Sequence, residues 1–274
     1  MLRSSRILAS RVALVSPARV TGSYRQLSTA PRHLGYTLDT DPRLDKRHIA
    51  PFCEIGLGGE PAPPPDFSAA TPRDEMVAWS VEVEAGFGAA FQMLTDQNAP
   101  LPAVEKSTEV IKGVDGNDIT LYISKPKGAQ GTLPCVYHTH GGGMAILHAT
   151  DSAAEYFRDR LATEGVCVVG VDFRNCGGSD GNNVFPAGLN DCTSGLYWVA
   201  ENKAKLGIDV IVTSGESGGG NLATATTMQA KRDGRLDAVD GCFAMCPCVP
   251  LLTPSTFPSH LPALPMMAGT LLAT

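Results

Sequence analysis

Short apolar segments alternate with longer amphipathic segments over most of the chain, and this alternation limits the possible folds more than any other feature. The clearest apolar segment is Val166–Phe173, which has the composition of a strand buried on both faces. Strands that alternate with helices predict an α/β fold, a largely parallel sheet whose functional site lies at the carboxyl ends of the strands. The predicted strands are Glu109–Lys112, Asp118–Ser124, Cys135–Thr139, Val166–Phe173, Val210–Thr213 and Cys242–Cys246, and the predicted helices are 72–94, Ala149–Glu164, Leu189–Leu206 and Gly218–Lys231.

Composition divides the chain into five segments. The α/β core is expected at 105–250, preceded by a helical segment at 72–104 that could cover a site as a lid. For the first helix, Thr71 is a candidate capping residue and Pro72 fits its first position. The remaining segments are a probable transit peptide at 1–40, a Pro- and Gly-rich linker at 41–71 and a Pro-rich tail at 251–274.

The first forty residues contain six arginines and many serines and alanines, and the first acidic residue is Asp39. This composition is typical of a mitochondrial or plastid transit peptide. The segment Arg25–Thr29 resembles the cleavage pattern of mitochondrial presequences. We therefore expect mitochondrial targeting, with a plastid or a cytoplasmic location as the alternatives.

Charge and composition disfavour several classes of partner. The formal net charge is −6, and the first 29 residues contribute five arginines and no acid, so the remaining chain is more acidic still. An acidic body does not favour nucleic acid or anionic lipid, which leaves neutral or apolar small molecules as expected ligands. No apolar run approaches the ~18 residues of a membrane span. The eight cysteines form no Cys-x-x-Cys pair, so no metal site is predicted, and the nearby Cys242, Cys246 and Cys248 are expected to be buried thiols.

The segment Gly215-Glu216-Ser217-Gly218-Gly219 lies between a predicted strand and a predicted helix. In this context Gly-x-Ser-x-Gly forms a sharp turn that projects the serine hydroxyl above the sheet. The positions two before and two after the serine must be small for the turn to close, and Gly215 and Gly219 occupy them. Ser217 is therefore the candidate nucleophile.

A second glycine-rich turn, His140-Gly141-Gly142-Gly143, follows the strand Cys135–Thr139. Consecutive glycines let the backbone approach a substrate and direct amide N–H groups at one point, as an oxyanion hole requires. Gly141, Gly142 and Gly143 are therefore all candidate oxyanion donors. The residue after the nucleophile, Gly218, is expected to add a further donor. Neither a Gly-Lys-Ser/Thr segment nor a Gly-x-Gly-x-x-Gly turn at the first strand is present, so nucleotide binding is disfavoured.

These motifs and several others together resemble the hormone-sensitive-lipase-like esterases of the α/β-hydrolase superfamily. The resemblance covers about 105–250 and implies an α/β-hydrolase fold with helices on both faces and an amino-terminal helical cap, acting on small carboxylic esters without a cofactor. It also implies that Ser217 is the nucleophile and that Gly142, Gly143 and Gly218 are the main oxyanion donors. The matching segments are His140–Gly143, Val169–Arg174, Phe185–Asp191, Trp198–Asn202 and Gly215–Ala223.

Two departures from the family pattern affect the expected function. The loop Asn175–Asp180 replaces an apolar segment that contains proline, which leaves substrate preference open. The family also places its catalytic acid and histidine after the nucleophile, on and beyond further strands. Here the only later histidine is His260, in a Pro-rich stretch, and the later acids are Asp233, Asp237 and Asp240.

Asp237 and Asp240 precede the last predicted strand and are expected at its amino end, away from Ser217. His138 and His148 flank the glycine turn and are expected to be structural or exposed. We therefore expect a truncated chain, with a sheet that is incomplete after the sixth strand and with little or no activity of its own. The alternative is a catalytically inactive small-molecule receptor, because the plant gibberellin receptors resemble this family and lack the catalytic histidine.

Overall fold

The computed structural model describes residues 35–59, 65–68, 70–181 and 183–249. The described residues from Tyr36 onward belong to one compact unit. Almost all of the predicted transit peptide, the Pro-rich tail and His260 lie outside the described residues.

The described strands form one mixed sheet in the order β1-β2-β4-β3-β5-β6. The pairs β1–β2 and β2–β4 are antiparallel, whereas β3–β4, β3–β5 and β5–β6 are parallel. The predicted strands are confirmed, and most of them extend beyond the predicted ends. Their bounds are Val104–Lys112 for β1, Asp118–Pro126 for β2, Leu133–Thr139 for β3, Cys167–Asp172 for β4, Ile208–Glu216 for β5 and Gly241–Met245 for β6.

The four predicted helices are present, and one of them is divided. The expected helix Leu189–Leu206 consists of a long helix and a four-residue helix that meet at Asn202. Short 3-10 turns lie at Gly178–Asp180 and Leu236–Ala238. The helices are α1 Lys46–Glu54, α2 Arg73–Asp96, α3 Ser152–Ala162, α4 Ala187–Glu201, α5 Lys203–Leu206 and α6 Gly218–Arg232.

Two expectations about the amino-terminal region are wrong. The expected linker 41–71 contains the helix α1, which begins where the Asp45 carboxylate accepts a hydrogen bond from Arg47 N–H and which buries Ile49. Thr71 does not cap α2: this helix follows Pro72 without a side-chain cap, and the Thr71 hydroxyl accepts a bond from Ser68 N–H instead.

Helices cover both faces of the sheet, as two neighbouring residues of β3 show. Successive side chains of a strand point to opposite faces. The Tyr137 hydroxyl donates to the Cys192 carbonyl of α4 at 2.8 Å. The His138 ring lies 4.6 Å from the ring of Phe157 in α3. The main apolar core lies on the α4 side of the sheet. It buries Leu121 of β2, Val169 of β4 and Leu196 of α4, together with their neighbours.

The parallel register of β5 and β6 determines which residues reach the functional edge of the sheet. Thr213 pairs with Cys242, so the carboxyl ends of both strands lie together, beside Ser217 and Cys246. Asp240 lies at the opposite end, where its N–H donates to the Ile211 carbonyl at 2.8 Å.

No helix of the described residues is both long and apolar enough to cross a membrane.

Candidate active site

Ser217 lies between β5 and α6 with a backbone that few residues other than glycine adopt. Its φ is +52° and its ψ is −118°. Close backbone packing enforces this turn. A Cβ atom on Gly219 would lie 2.0 Å from the Thr139 carbonyl oxygen, and one on Gly215 would lie 2.5 Å from the Gly219 carbonyl. A strained backbone of this kind persists only where the surrounding structure enforces it, and such positions cluster at functional sites.

The second glycine turn lies directly against this elbow. Gly142 has φ +106° and Gly143 has φ +66°, both in the region that favours glycine. A Cβ atom on Gly218 would lie 2.7 Å from the Gly143 nitrogen, so the backbones of the two motifs are in contact. The N–H groups of Gly142, Gly143 and Gly218 have no acceptor within the part of the chain that the structure describes.

Glu216 joins the two motifs and changes the expected set of oxyanion donors. One carboxylate oxygen accepts the Gly141 N–H at 2.6 Å, and the other contacts His138 Nε2 at 2.8 Å. Burial of this carboxyl favours its neutral form, but the hydrogen bonds outweigh burial and lower the pKa of Glu216. The inclusion of Gly141 among the oxyanion donors is therefore wrong, because its single N–H is occupied by Glu216.

The two histidines of β3 and its following turn are structural. His138 is almost fully buried beside Glu216. His140 stacks on Phe173 with ring centroids 4.2 Å apart, and its Nδ1 is 2.7 Å from the Gly141 carbonyl. Burial lowers the pKa of His140 to about 4, so the ring is neutral near pH 7. Neither ring is hydrogen-bonded to the Ser217 hydroxyl.

His148 is half-buried at the junction between the core and α2. Its Nε2 lies 2.8 Å from the Ser179 hydroxyl, and its ring faces the carboxylates of Asp172 at 3.5 Å and Glu84 at 3.8 Å. The hydrogen bond with Asp172 is the main cause that raises the pKa of His148 to about 9. The charged imidazole therefore links α2 to the end of β4.

The helix α2 is held over the glycine turn by polar contacts. The Glu84 carboxylate accepts the Leu147 N–H at 2.7 Å and the Ser179 N–H at 2.8 Å. The Ser80 hydroxyl accepts the Gly178 N–H at 2.8 Å. Glu84 was not among the predicted site residues, although its spacing of four from Ser80 and seven from Phe91 places it on the helical face that carries Phe91.

A cavity of about 810 Å³ opens above Ser217. Its wall is mostly apolar, and only a few polar groups reach it. The α2 helix contributes Phe87 and Phe91, and the loop before α4 contributes Val184 and Phe185. A large, mainly apolar pocket with a few convergent polar groups is typical of small-molecule sites.

The acids that follow Ser217 lie elsewhere. Asp240 is at the amino end of β6, as predicted, and accepts from Ile211 N–H. Asp233 accepts from the Tyr197 hydroxyl and from Gln229. Within the described residues, no group of three or more His, Cys, Asp or Glu side chains is arranged to hold a metal ion.

The expectation that the last three cysteines are buried is wrong. Cys242 and Cys246 are exposed, and Cys248 is half-buried. The reason is that β6 pairs with β5 alone among the described strands, so its outer side remains open, with Phe243 60% exposed.

Comparison with known proteins identifies the family. A family profile described as alpha/beta hydrolase fold matches residues 136–271. A solved structure of brefeldin A esterase, described as a bacterial homologue of human hormone-sensitive lipase, is 41% identical and superposes on 78% of this chain and 59% of its own, with a TM-score of 0.70. The chain belongs to the hormone-sensitive-lipase-like family of α/β hydrolases. The esterase Est22, another solved structure, is 33% identical over 80% of this chain and 65% of its own, with a TM-score of 0.67.

Several curated relatives of this α/β hydrolase are named as esterases. Carboxylesterase NlhH of Mycobacterium tuberculosis is 36% identical over 124 residues, which are 44% of this chain and 37% of that protein. Versiconal hemiacetal acetate esterase of Dothistroma septosporum is 30% identical over 172 residues, which are 61% of this chain and 49% of that protein. The chain thus spans less than half the length of these curated relatives.

Proposed function

We propose that this chain carries the nucleophile and the oxyanion hole of a serine carboxylic-ester hydrolase. The observation that supports this most strongly is the strained strand-to-helix turn at Ser217, in contact with a glycine turn whose amides lack acceptors among the described residues. Preorganised N–H donors of this kind stabilise the charge that develops during acyl transfer. The proposed donors are Gly142, Gly143 and Gly218.

The proposed reaction proceeds through an acyl-enzyme. The Ser217 oxygen forms a bond to the ester carbonyl carbon, and the carbonyl oxygen becomes an oxyanion held by the free amides. The bond to the alcohol oxygen then breaks, the alcohol leaves with the proton of the serine hydroxyl, and the acyl group stays on Ser217. Water attacks the acyl group in the second half-reaction and releases the acid.

The proton transfer needs a base, because an unassisted serine hydroxyl is a weak nucleophile. No histidine ring of the described residues is hydrogen-bonded to Ser217. His260 is the one histidine after Ser217 in the sequence, and it lies outside the described residues. We therefore propose that residues 1–274 react slowly unless His260 serves as the base.

The wall of the cavity indicates the class of substrate. Aromatic and aliphatic side chains dominate it, and the chain has a formal net charge of −6. These features favour a neutral small-molecule ester over an anionic one.

A binding protein without turnover is the second candidate. It is favoured by the combination of a large apolar cavity and a serine hydroxyl that is hydrogen-bonded to no histidine within the described part of the chain. Such a protein would hold a neutral apolar ligand above Ser217 and leave it unchanged.

A fluorophosphonate probe and p-nitrophenyl butyrate separate these candidates. The hydrolase proposal predicts probe attachment to the Ser217 peptide and hydrolysis that is abolished by Ser217→Ala but preserved by the control Ser214→Ala, which changes a buried serine outside the cavity. A serine hydrolase without its histidine base keeps only ~10³–10⁴-fold acceleration over water, so slow labelling is expected unless His260 serves as the base. Saturable binding of an apolar ester without labelling or hydrolysis would support the binding protein instead.

A further inference from the structure

The segment Cys246-Pro247-Cys248 follows β6 and lies against the backbone of the candidate nucleophile. The Ser217 N–H donates to the Met245 carbonyl at 3.0 Å, and the Cys248 N–H donates back to the Ser217 carbonyl at 2.8 Å. The Asn221 side chain donates to the Cys248 carbonyl at 2.8 Å. Two hydrogen bonds of Cys248, and one from Ser217 to the end of β6, thus hold this segment beside Ser217.

Both cysteines of this segment line the cavity above Ser217. Neither Cys246 nor Cys248 is paired in a disulfide. Cys246 is exposed and Cys248 is half-buried, which leaves them open to reagents that enter the cavity.

The other thiols differ in burial or in position. Burial raises the pKa of Cys192 well above its usual value, and a hydrogen bond with Cys167 together with burial raises that of Cys135. Cys176 also lines the cavity, but burial raises the pKa of its thiol and lowers its thiolate fraction. Cys242 is as open as Cys246 but does not line the cavity, so it is a natural control.

We propose that Cys246 and Cys248 form a thiol-modification site for small disulfides such as glutathione disulfide, and that an adduct there blocks access to Ser217. In this exchange a cysteine thiolate attacks the disulfide, a new sulfur–sulfur bond forms, and glutathione leaves as a thiolate that takes up the cysteine proton. No other oxidant is required. A dithiol reductant reverses the reaction.

The adduct would occupy the space in which an ester must approach the serine. Catalysis depends steeply on positioning, because a misplacement of about 1 Å can cost ~100-fold in rate. This inference rests on the proposed function for its kinetic consequence, whereas the modification itself does not depend on it.

The test treats the full 274-residue chain with glutathione disulfide and measures two quantities. Peptide mass spectrometry identifies the modified cysteines, and the rate of fluorophosphonate labelling at Ser217 is compared before and after treatment. We expect adducts on Cys246 or Cys248, a fall in the labelling rate of about tenfold or more, and recovery with dithiothreitol.

Variants assign the effect to the cavity thiols. The ratio of treated to untreated labelling rates should stay near one in the double variant Cys246→Ser/Cys248→Ser. It should fall in the control Cys242→Ser as it does in the unaltered chain. An unchanged labelling rate in a chain whose Cys246 or Cys248 carries the adduct would overturn the proposal, as would an equal loss in the double variant.

A third measurement separates this proposal from the proposed function. If Ser217 takes no probe even in untreated protein, the hydrolase proposal fails, and obstruction of the cavity is then measured by binding of the apolar dye Nile red. Loss of dye binding on modification of Cys246 or Cys248 would support the thiol site, and unchanged binding would refute it.

Discussion

A pair of alanine substitutions in the glycine turn tests the geometry of the proposed oxyanion hole. Gly142 and Gly143 are adjacent, and both have positive φ, but their surroundings differ. A Cβ atom on Gly142 would lie 2.1 Å from the Ile146 carbonyl oxygen, whereas one on Gly143 would meet nothing within 4 Å. Gly143→Ala is therefore the matched control for Gly142→Ala.

The expected magnitudes follow from these contacts. Alanine at Gly143 bears only the cost of a left-handed backbone, about 1–2 kcal/mol. Alanine at Gly142 bears a similar cost, and the clash also displaces a turn in which the Gly142 carbonyl accepts from Ala145 N–H at 3.0 Å and Ile146 N–H at 3.1 Å. Loss of those two bonds adds about 1 kcal/mol each, for a total of roughly 3–4 kcal/mol.

Thermal unfolding and probe labelling measure the two consequences. For a domain of this size each kcal/mol shifts Tm by roughly 2–4 °C, so Gly142→Ala should lower Tm by at least about 6 °C and by clearly more than Gly143→Ala. Labelling of Ser217 well below Tm should fall by ~10²–10³-fold in Gly142→Ala, the usual cost of one oxyanion donor, and by less in the control. Equal Tm shifts and equal labelling rates in the two variants would refute the assigned geometry of the turn.

Three further predictions concern the α2 helix, pH and targeting. Glu84→Gln should destabilise the protein by about 1–3 kcal/mol in urea unfolding, because the Leu147 and Ser179 N–H groups bond different carboxylate oxygens and the amide nitrogen that replaces one oxygen cannot accept. The exposed neighbour Glu82→Gln should change little, and equal effects would contradict the role of Glu84. The folded pKa of His148 is about 9 against an ordinary 6.5, so its charge stabilises the fold fully below pH 6.5 and this contribution is lost as pH rises through 9. The Tm difference between the unaltered chain and His148→Gln should therefore shrink towards about pH 10, and a constant difference would count against the ion cluster. Residues 1–40 fused to a fluorescent protein should direct it to mitochondria, and diffuse cytosolic fluorescence would refute that proposal.

The parts of the fold that sequence predicted correctly are those that local patterns determine. The buried strand β4 is a run of small and β-branched residues, and the elbow needs small residues at fixed spacing around Ser217. Helix α1 was missed because the glycines and prolines at 56–65 suggested a linker over the whole of 41–71, although Asp45 provided a capping signal.

Local sequence patterns do not encode contacts between residues that are distant in the chain. Gly141 fits the glycine motif as well as its neighbours do, and only the fold shows that Glu216, 75 residues later, occupies its N–H. The exposure of Cys242 and Cys246 likewise depends on which strands flank β6, a property that local alternation of residues does not encode.

Detection of the acyl group itself tests the proposed acyl-enzyme on Ser217. The chain is mixed with p-nitrophenyl butyrate, quenched in acid, digested and analysed by peptide mass spectrometry. An acyl-enzyme on Ser217 predicts one butyryl group on the peptide that contains Ser217, and none in Ser217→Ala. A butyryl group on another residue, or turnover of the ester that survives Ser217→Ala, would contradict it.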